Sequence, residues 1–328
     1  MKILADILSA TIIFAVPLML VALGGMFSER SGVINIALEG IMIVGALCSC
    51  LMLRYFDASG LGERAPQLAM FYAIPIAAAS GAIFSLLLAF ASINLKADQT
   101  IGGTALNMLA PAFAIVLTWS IQGQGQTTIL IPKWTRITQA SLGIEANESF
   151  IQTFIFKNFY LTTLVAFILL IVAIILLYKT RFGLRLRACG EHPQAADSVG
   201  INVYKMRYIG VFISGILGGI GGLAYTIAAG AGFQSSVAGY GFLALAVMIF
   251  GNWKPINILG ASLFFAMFKI IGSYSGSIPF LPSFSEVKSS EYIYLMLPYI
   301  VTMIILVLTS KKSRAPKAEG IPYDKGSR

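Results

Sequence analysis

Charge is scarce in this 328-residue chain. Only 11% of its residues are Asp, Glu, Lys or Arg, against about 25% in a soluble domain. Histidine occurs once, at His192, which excludes a His-rich metal centre. Cysteine occurs three times, at Cys48, Cys50 and Cys189, too few and too scattered for a disulfide framework. Each is read as a small buried hydrophobe. No G-x-x-x-x-G-K-S/T phosphate loop is present, so the chain is not expected to bind ATP itself. Zincin and G-x-S-x-G patterns are missing too, as are a polar cluster of the kind membrane enzymes carry and a channel filter segment.

What is present is apolar sequence. Hydrophobic residues make up 57% of the chain, and the mean hydropathy is +0.83. One soluble core cannot absorb that much apolar surface, so the expected solvent is lipid. The net charge of +9 then reflects loop placement of Lys and Arg and not a nucleic-acid partner. The N-terminal apolar stretch lacks a small-x-small cleavage site and is read as a retained first span. Spans of about 20 apolar residues are expected near 6–26, 33–53, 69–93, 104–121, 158–178, 209–230, 239–251, 256–272 and 292–310. This is an all-α polytopic bundle of about nine spans, eight to ten. The seventh is short enough for a half-helix or re-entrant element.

With residues 179–208 placed inside, 15 Lys/Arg fall on that side and 7 outside, which supports a cytosolic C-terminus. "ALGGMFSERSGVINIALEGIMIVGAL" and "GGLAYTIAAGAGFQSSVAGYGFLALAVM" share a Gly-Gly pair, a polar turn with serine and a glycine re-entering the apolar run. Two inverted repeats, about 6–121 and 209–310, are expected on either side of a connecting span at 158–178. Solute pathways in such folds lie at the repeat interface beside broken helices.

Polar residues at membrane depth are the pathway candidates. A carboxylate there costs about 2.5–3.5 kcal/mol on insertion scales, so Glu39, one turn from Asn35, is expected to face protein or a watery cavity. It lines a pathway, ties down the freed backbone of a broken helix, or pairs with Arg30. "DQTIGGTALNMLAPAF" brings Thr104 and Asn107 to a span entrance, with Gly102, Gly103 and Pro111 expected to break the helix. "GFQSSVAGYGF" adds Gln234, Ser235, Ser236, Tyr240 and Phe242. These neutral hydrogen-bond formers beside rings suit a polar, uncharged solute with a flat face. The glycines of "SGILGGIGG" fit small-x-x-small helix packing.

The stretch "KTRFGLRLRACGEHPQAADSVGINVYKMRY" interrupts the apolar pattern at 179–208 with six Lys/Arg. Anionic lipid would be held at about 1 kcal/mol per basic residue. Its internal order points further, to a short helix over about 191–201 with Pro193 in its first turn and Gly200 at its stop. A topology signal needs no such helix; docking of a soluble partner does.

"RACGEHPQAADSVGINVYKMR" resembles the cytoplasmic coupling segment of permease subunits of bacterial ABC importers, in the group of branched-chain amino acid and ribose permeases. "GMFSERSGVINIALEGIMIVGA" at 25–46 is similar to the nucleoside importer permeases served by a basic-membrane-protein type lipoprotein. "GNWKP" at 251–255 sits where such permeases turn on the cytosolic side, although an N-terminal helix common in ribose-type relatives is not found here. The resemblance implies a subunit of the bacterial cytoplasmic membrane that forms half of a pathway for a nucleoside. It implies a second related permease, ATPase subunits that carry ATP and Mg, and a lipoprotein that delivers the solute. Arg187, Gly190, Glu191, His192, Pro193, Ala195, Ala196 and Gly200 would couple to the ATPase. No cofactor is expected on this chain. The alternatives are the same machinery with a sugar or branched-chain amino acid as cargo, or an ion-coupled carrier using Glu39 with Asp98.

Overall fold

In the computed structural model the described residues are 2–137, 160–274 and 315–325, with single positions at 296, 300, 303 and 304. The expected span at 292–310, apart from those single positions, and the tail residues 311–314 and 326–328 lie outside the described residues. Among those described, the chain is helical with no strand, and one isolated bridge joins Ile129 to Phe233. Seven helices are long and apolar enough to cross a bilayer, so this is a multi-pass membrane protein.

The helices are α1 (Lys2–Arg30), α2 (Leu38–Ala58), α3 (Leu61–Arg64), α4 (Pro66–Ala89), α5 (Gln99–Gln122), α6 (Leu161–Lys179), α7 (Arg181–Glu191), α8 (Pro193–Ser198), α9 (Val203–Ala229), α10 (Tyr240–Phe250) and α11 (Pro255–Tyr274). Two boundaries differ from expectation. The second span begins at Leu38, because Ser31 and Gly32 turn the chain and 33–37 stays non-helical. The 3-residue set of β-branched Val33, Ile34 and Ile36 disfavours helix, and side chains hold its backbone groups instead. The break expected within 104–121 does not occur: α5 runs unbroken through Pro111. Its start is set by Asp98, whose Oδ1 accepts the amides of Thr100 at 2.8 Å and Ile101 at 2.9 Å.

Helices α1, α2, α4 and α9 form the core, with α10 and α11 against α1. Glycine makes the α4–α9 crossing possible. A Cβ on Gly81 or Gly215 would run into the other helix's backbone, and one on Gly219 would strike the Ala77 carbonyl. Gly45 of α2 meets Gly219 in the same way. Backbone approach through small residues is how helices gain contact in lipid, where no hydrophobic drive separates them from the tails. By contrast α5 turns much of its apolar surface outward: Ile101 is 71% and Met108 72% exposed.

The loops sort onto two ends. At one end meet Arg30, Lys96, α7, α8, the 251–254 turn and residues 315–325. At the other, Trp134 packs on Gly62 and donates to Asp57 at 2.7 Å. The first is called the basic end below.

Candidate functional site

The first candidate region is where two helices begin inside the bundle. Segment 31–37 leads back from the end of α1 into the bundle as irregular backbone. Such backbone survives at membrane depth only if its polar groups are satisfied. Ser28 Oγ donates to the Val33 carbonyl at 2.7 Å, and Gln99 Oε1 accepts the Ile34 amide at 2.7 Å. Asn107 of α5 serves both sides of the break. Its Nδ2 donates to the Ile36 carbonyl at 2.8 Å, and its Oδ1 accepts the Gly40 amide in the first turn of α2 at 2.8 Å. Thus α2 is capped by a side chain from another helix.

The second half-helix is treated alike. Residues 230–239 descend from the end of α9, pinned where Ile129 and Phe233 exchange amide–carbonyl bonds of 2.8 and 2.9 Å. Then α10 starts at Tyr240, and its exposed amides meet Glu39. Oε1 accepts from Gly239 at 2.8 Å and Oε2 from Gly241 at 2.6 Å. Glu39 therefore ties down a broken helix, one of its expected roles. It does not pair with Arg30, which turns to Glu191 and Trp253. A Cβ on Gly241 would collide with Glu39, so close approach of the two chains needs glycine there.

The other candidates fall into two sets. Asn35 is buried and donates to Ser214 Oγ at 2.8 Å, and Tyr240 is buried beside Tyr225, ring centroids 4.4 Å apart. Ser235 is buried at a left-handed φ of 58°. Thr104, Gln234, Ser236 and Phe242 are exposed. Thr104 bonds only within its own helix, to the Thr100 carbonyl, and Ser236 accepts from Ala238 in its turn. The Phe242 backbone, in the first turn of α10, does reach Glu39, while its ring is exposed. Lys269 meets the first residue of α10: its Nζ donates to Tyr240 Oη at 2.7 Å and lies 4.9 Å from the Phe14 ring centroid. A cation among rings is a pairing that sequence spacing cannot signal, since Phe14 and Lys269 share no motif. Asp98, capping α5, sits nine positions before Asn107 and does not join Glu39. No group of three or more metal-ligating side chains occurs among the described residues.

The second candidate region is the basic end. The expected helix over 191–201 is resolved into two. Arg181–Glu191 is a helix that its basic-apolar alternation did not announce, and Pro193–Ser198 is the short one, with Pro193 at its first position and Gly200 at φ 82° after its end. Thr180 caps α7 through the Gly183 amide. Arg187 lies over the Tyr178 ring, 5.3 Å from its centroid. His192, Ala195 and Val199 are exposed, Val199 at 75%, whereas Ala196 and Pro193 are buried. Val199 is a docking candidate that sequence reading missed. Burial pushes the Cys189 thiol up to about 11, so it is no nucleophile.

Behind this surface lies a bracket. Arg30 Nη1 is 3.8 Å from Glu191 Oε1, and its Nη2 donates to the Trp253 carbonyl at 3.1 Å. Trp253 Nε1 in turn donates to Glu29 Oε2 at 2.6 Å. The turn that presents Trp253 is tight, with Asn252 and Trp253 both left-handed at φ 52° and 51°. Gly190 is pressed on the Arg30 carbonyl with no room for a Cβ. Thus α7, α1 and the α10–α11 turn are joined at one point.

The family described as "Branched-chain amino acid transport system / permease component" matches residues 7–308. The chain is 44% identical over 328 residues to the guanosine ABC transporter permease protein NupQ of Bacillus subtilis, covering 100% of this chain and 99% of that one. It is 41% identical over 325 residues to the nucleoside ABC transporter permease protein NupC of Lactococcus lactis, covering 97% and 96%. It is 30% identical over 274 residues, 80% and 76% of the two chains, to a putative glucose ABC transporter permease of Haloferax volcanii. No solved structure matches. With a full-length match of that kind behind the two half-helices and the bracketed basic end, the chain belongs to the branched-chain amino acid transport system permease family.

Proposed function

We propose that this protein is the membrane-spanning permease subunit of an ATP-driven importer that takes up nucleosides across the bacterial cytoplasmic membrane. The observation that carries the reading is the 44% identity, end to end, to a permease named for guanosine. The half-helix junction suits such a cargo. The two half-helix starts hold neutral amides and hydroxyls, Asn35, Asn107 and Ser235, and a ring, Tyr240, and a nucleoside offers a flat base and ribose hydroxyls to match. A few neutral contacts also release cargo readily, as a pathway must.

The architecture proposed is nine spans in two inverted repeats, about 6–121 and 209–310. The sequence of long helix, irregular segment and helix beginning at depth occurs twice, in α1–α2 and α9–α10. The first set turns at the basic end and the second at the other, which supports inversion. The partners proposed are a second related permease, ATPase subunits holding ATP and Mg, and an external lipoprotein that delivers the solute. The ATPase would dock on α8 and the exposed Val199, with the basic end in the cytosol. On this reading ATP hydrolysis belongs to the partner ATPase and this subunit forms the pathway.

Sugar as cargo is the second reading, favoured by the glucose-permease relative. The ion-coupled carrier loses its candidate site, since Glu39 and Asp98 cap different helices. The test is uptake of labelled guanosine, uridine, glucose and leucine into vesicles carrying the full complex, with ATP inside and a protonophore present. Nucleoside uptake should survive the protonophore and stop without ATP. Uptake of glucose or leucine alone would refute the cargo, and collapse under the protonophore would refute the mechanism.

A further inference from the structure

Residues 315–325 have no helix or strand of their own, yet they cross the basic end and touch four separate parts of the chain. The Ala318 amide donates to the Gly190 carbonyl at 2.9 Å, at the close of α7. The Ile321 carbonyl accepts from Arg207 Nη1 of α9 at 2.9 Å. Gly320, at φ 75°, lies against Ile34 in the segment that leads to α2. The Tyr323 ring packs edge-on to Tyr204 at 5.3 Å, and Asp324 meets Lys96 at 3.0 Å.

Arg207 is the centre of this arrangement. It is 1% exposed, and its Nε and Nη2 have no hydrogen-bond partner among the described residues. Gly32, at φ 98°, passes over it so closely that a Cβ would come within 2.8 Å of Nη2. A buried cation is costly unless its surroundings compensate. Here the Ile321 carbonyl meets it at 2.9 Å. Three pieces of chain therefore close around one guanidinium: the 31–32 turn, α9 and the tail.

We propose that residues 315–325 and Arg207 are positioning elements of the transport cycle. They clamp the end of α7 to the 31–34 segment, so that α7, α8, α9 and the approach to α2 move as one body when α8 is pushed. Without the clamp, motion at α8 would be absorbed at the helix breaks Gly190–His192 and Ser31–Gly32 before it reached the Glu39 junction. This inference rests on the reading of α8 as the ATPase-docking helix.

The experiment uses the complete complex in proteoliposomes and reads guanosine taken up per ATP hydrolysed. The variants are Arg207→Lys, Arg207→Met, Ala318→Pro and a chain ending at residue 314. Hydrolysis is expected to continue, while the ratio falls about tenfold for Arg207→Met and the shortened chain, as for a strong coupling mutation. Arg207→Lys should fall less, since it keeps the charge. A wild-type ratio in Arg207→Met and the shortened chain overturns the proposal. Should a variant fail to assemble, hydrogen exchange on the unmodified complex decides. Protection of the Ala318 amide comparable to that of α7 supports the clamp, and free exchange both with and without ATP overturns it. Ala195→Glu separates the two readings. If it leaves uptake and ATPase binding untouched, α8 is not the docking helix. If it abolishes both while the tail variants keep the wild-type ratio, the clamp alone is wrong.

Discussion

Glu39 and Gly241 are 202 positions apart in the chain, and the Glu39 Oε2 accepts the Gly241 amide at 2.6 Å. One carboxylate in the first turn of α2 is thereby the cap of α10. A hydrogen bond to a charged group contributes about 1.5–3 kcal/mol. Glu39→Leu removes two and leaves two amides bare, so thermal stability in detergent should drop sharply. Glu39→Gln keeps one acceptor oxygen and should fall by roughly half as much on the same scale. Equal melting shifts for the two would contradict the capping role.

The α4–α9 crossing supplies a second expectation. Gly219→Ala places a methyl group on the Ala77 carbonyl, whereas a Cβ on Gly260 of α11 meets nothing within 4 Å. Overpacking costs about 1–3 kcal/mol. Gly219→Ala should lower the yield of folded protein by size-exclusion chromatography, and Gly260→Ala should leave it unchanged.

On the basic end, exposure separates docking from packing. Ala195 and Val199 are exposed but Ala196 is 3% exposed. Val199→Glu and Ala195→Glu should leave the permease folded and reduce co-purification of its ATPase. Ala196→Glu should instead lower expression, since it buries a charge without a partner. A double substitution at 195 and 196 would mix the two effects.

The tail carries a pH dependence. Burial raises the Glu319 carboxyl above the ordinary carboxylate range, while its hydrogen bond with the Glu29 carboxyl and the Arg30 charge oppose the shift. The docked tail therefore holds that proton more tightly than the free tail does. Docking is strongest below the ordinary carboxylate pKa and weakens as pH rises through the raised value. Hydrogen exchange of 315–325, corrected for intrinsic rates, should slow on mild acidification. Glu319→Gln should weaken that dependence, since only the Glu29 carboxyl of the pair would still titrate.

Much of this was legible in the sequence, for identifiable reasons. Eight expected spans correspond to helices because apolar length is a local signal. The half-helix α10 was announced by the brevity of its apolar run between Gly239 and Gly251. The late start of α2 was not, because Val33, Ile34 and Ile36 continue the apolar pattern around Asn35 while the backbone leaves the helix. Its hydrogen-bond partners, Gln99 and Asn107, are 65 and 67 or more positions away. Glu39 was recognisable as a group that lipid would not tolerate, but Gly239 and Gly241 as its partners were not. Arg207 and the tail were illegible for the same reason: "APKAEGIPYDK" reads as loop, and its contact with Arg207 spans 114 positions.

The half-helix junction has an electrical consequence. Helix amino-termini carry about half a positive charge each, and both α2 and α10 begin within the bundle. The Lys269 ammonium, hydrogen-bonded to Tyr240, adds to their positive potential beside the Glu39 carboxylate. A proton or potassium ion would meet a repulsive centre there, while a neutral solute would not. On the proposed pathway, the geometry that anchors two broken helices would thus oppose leakage of cations across the membrane.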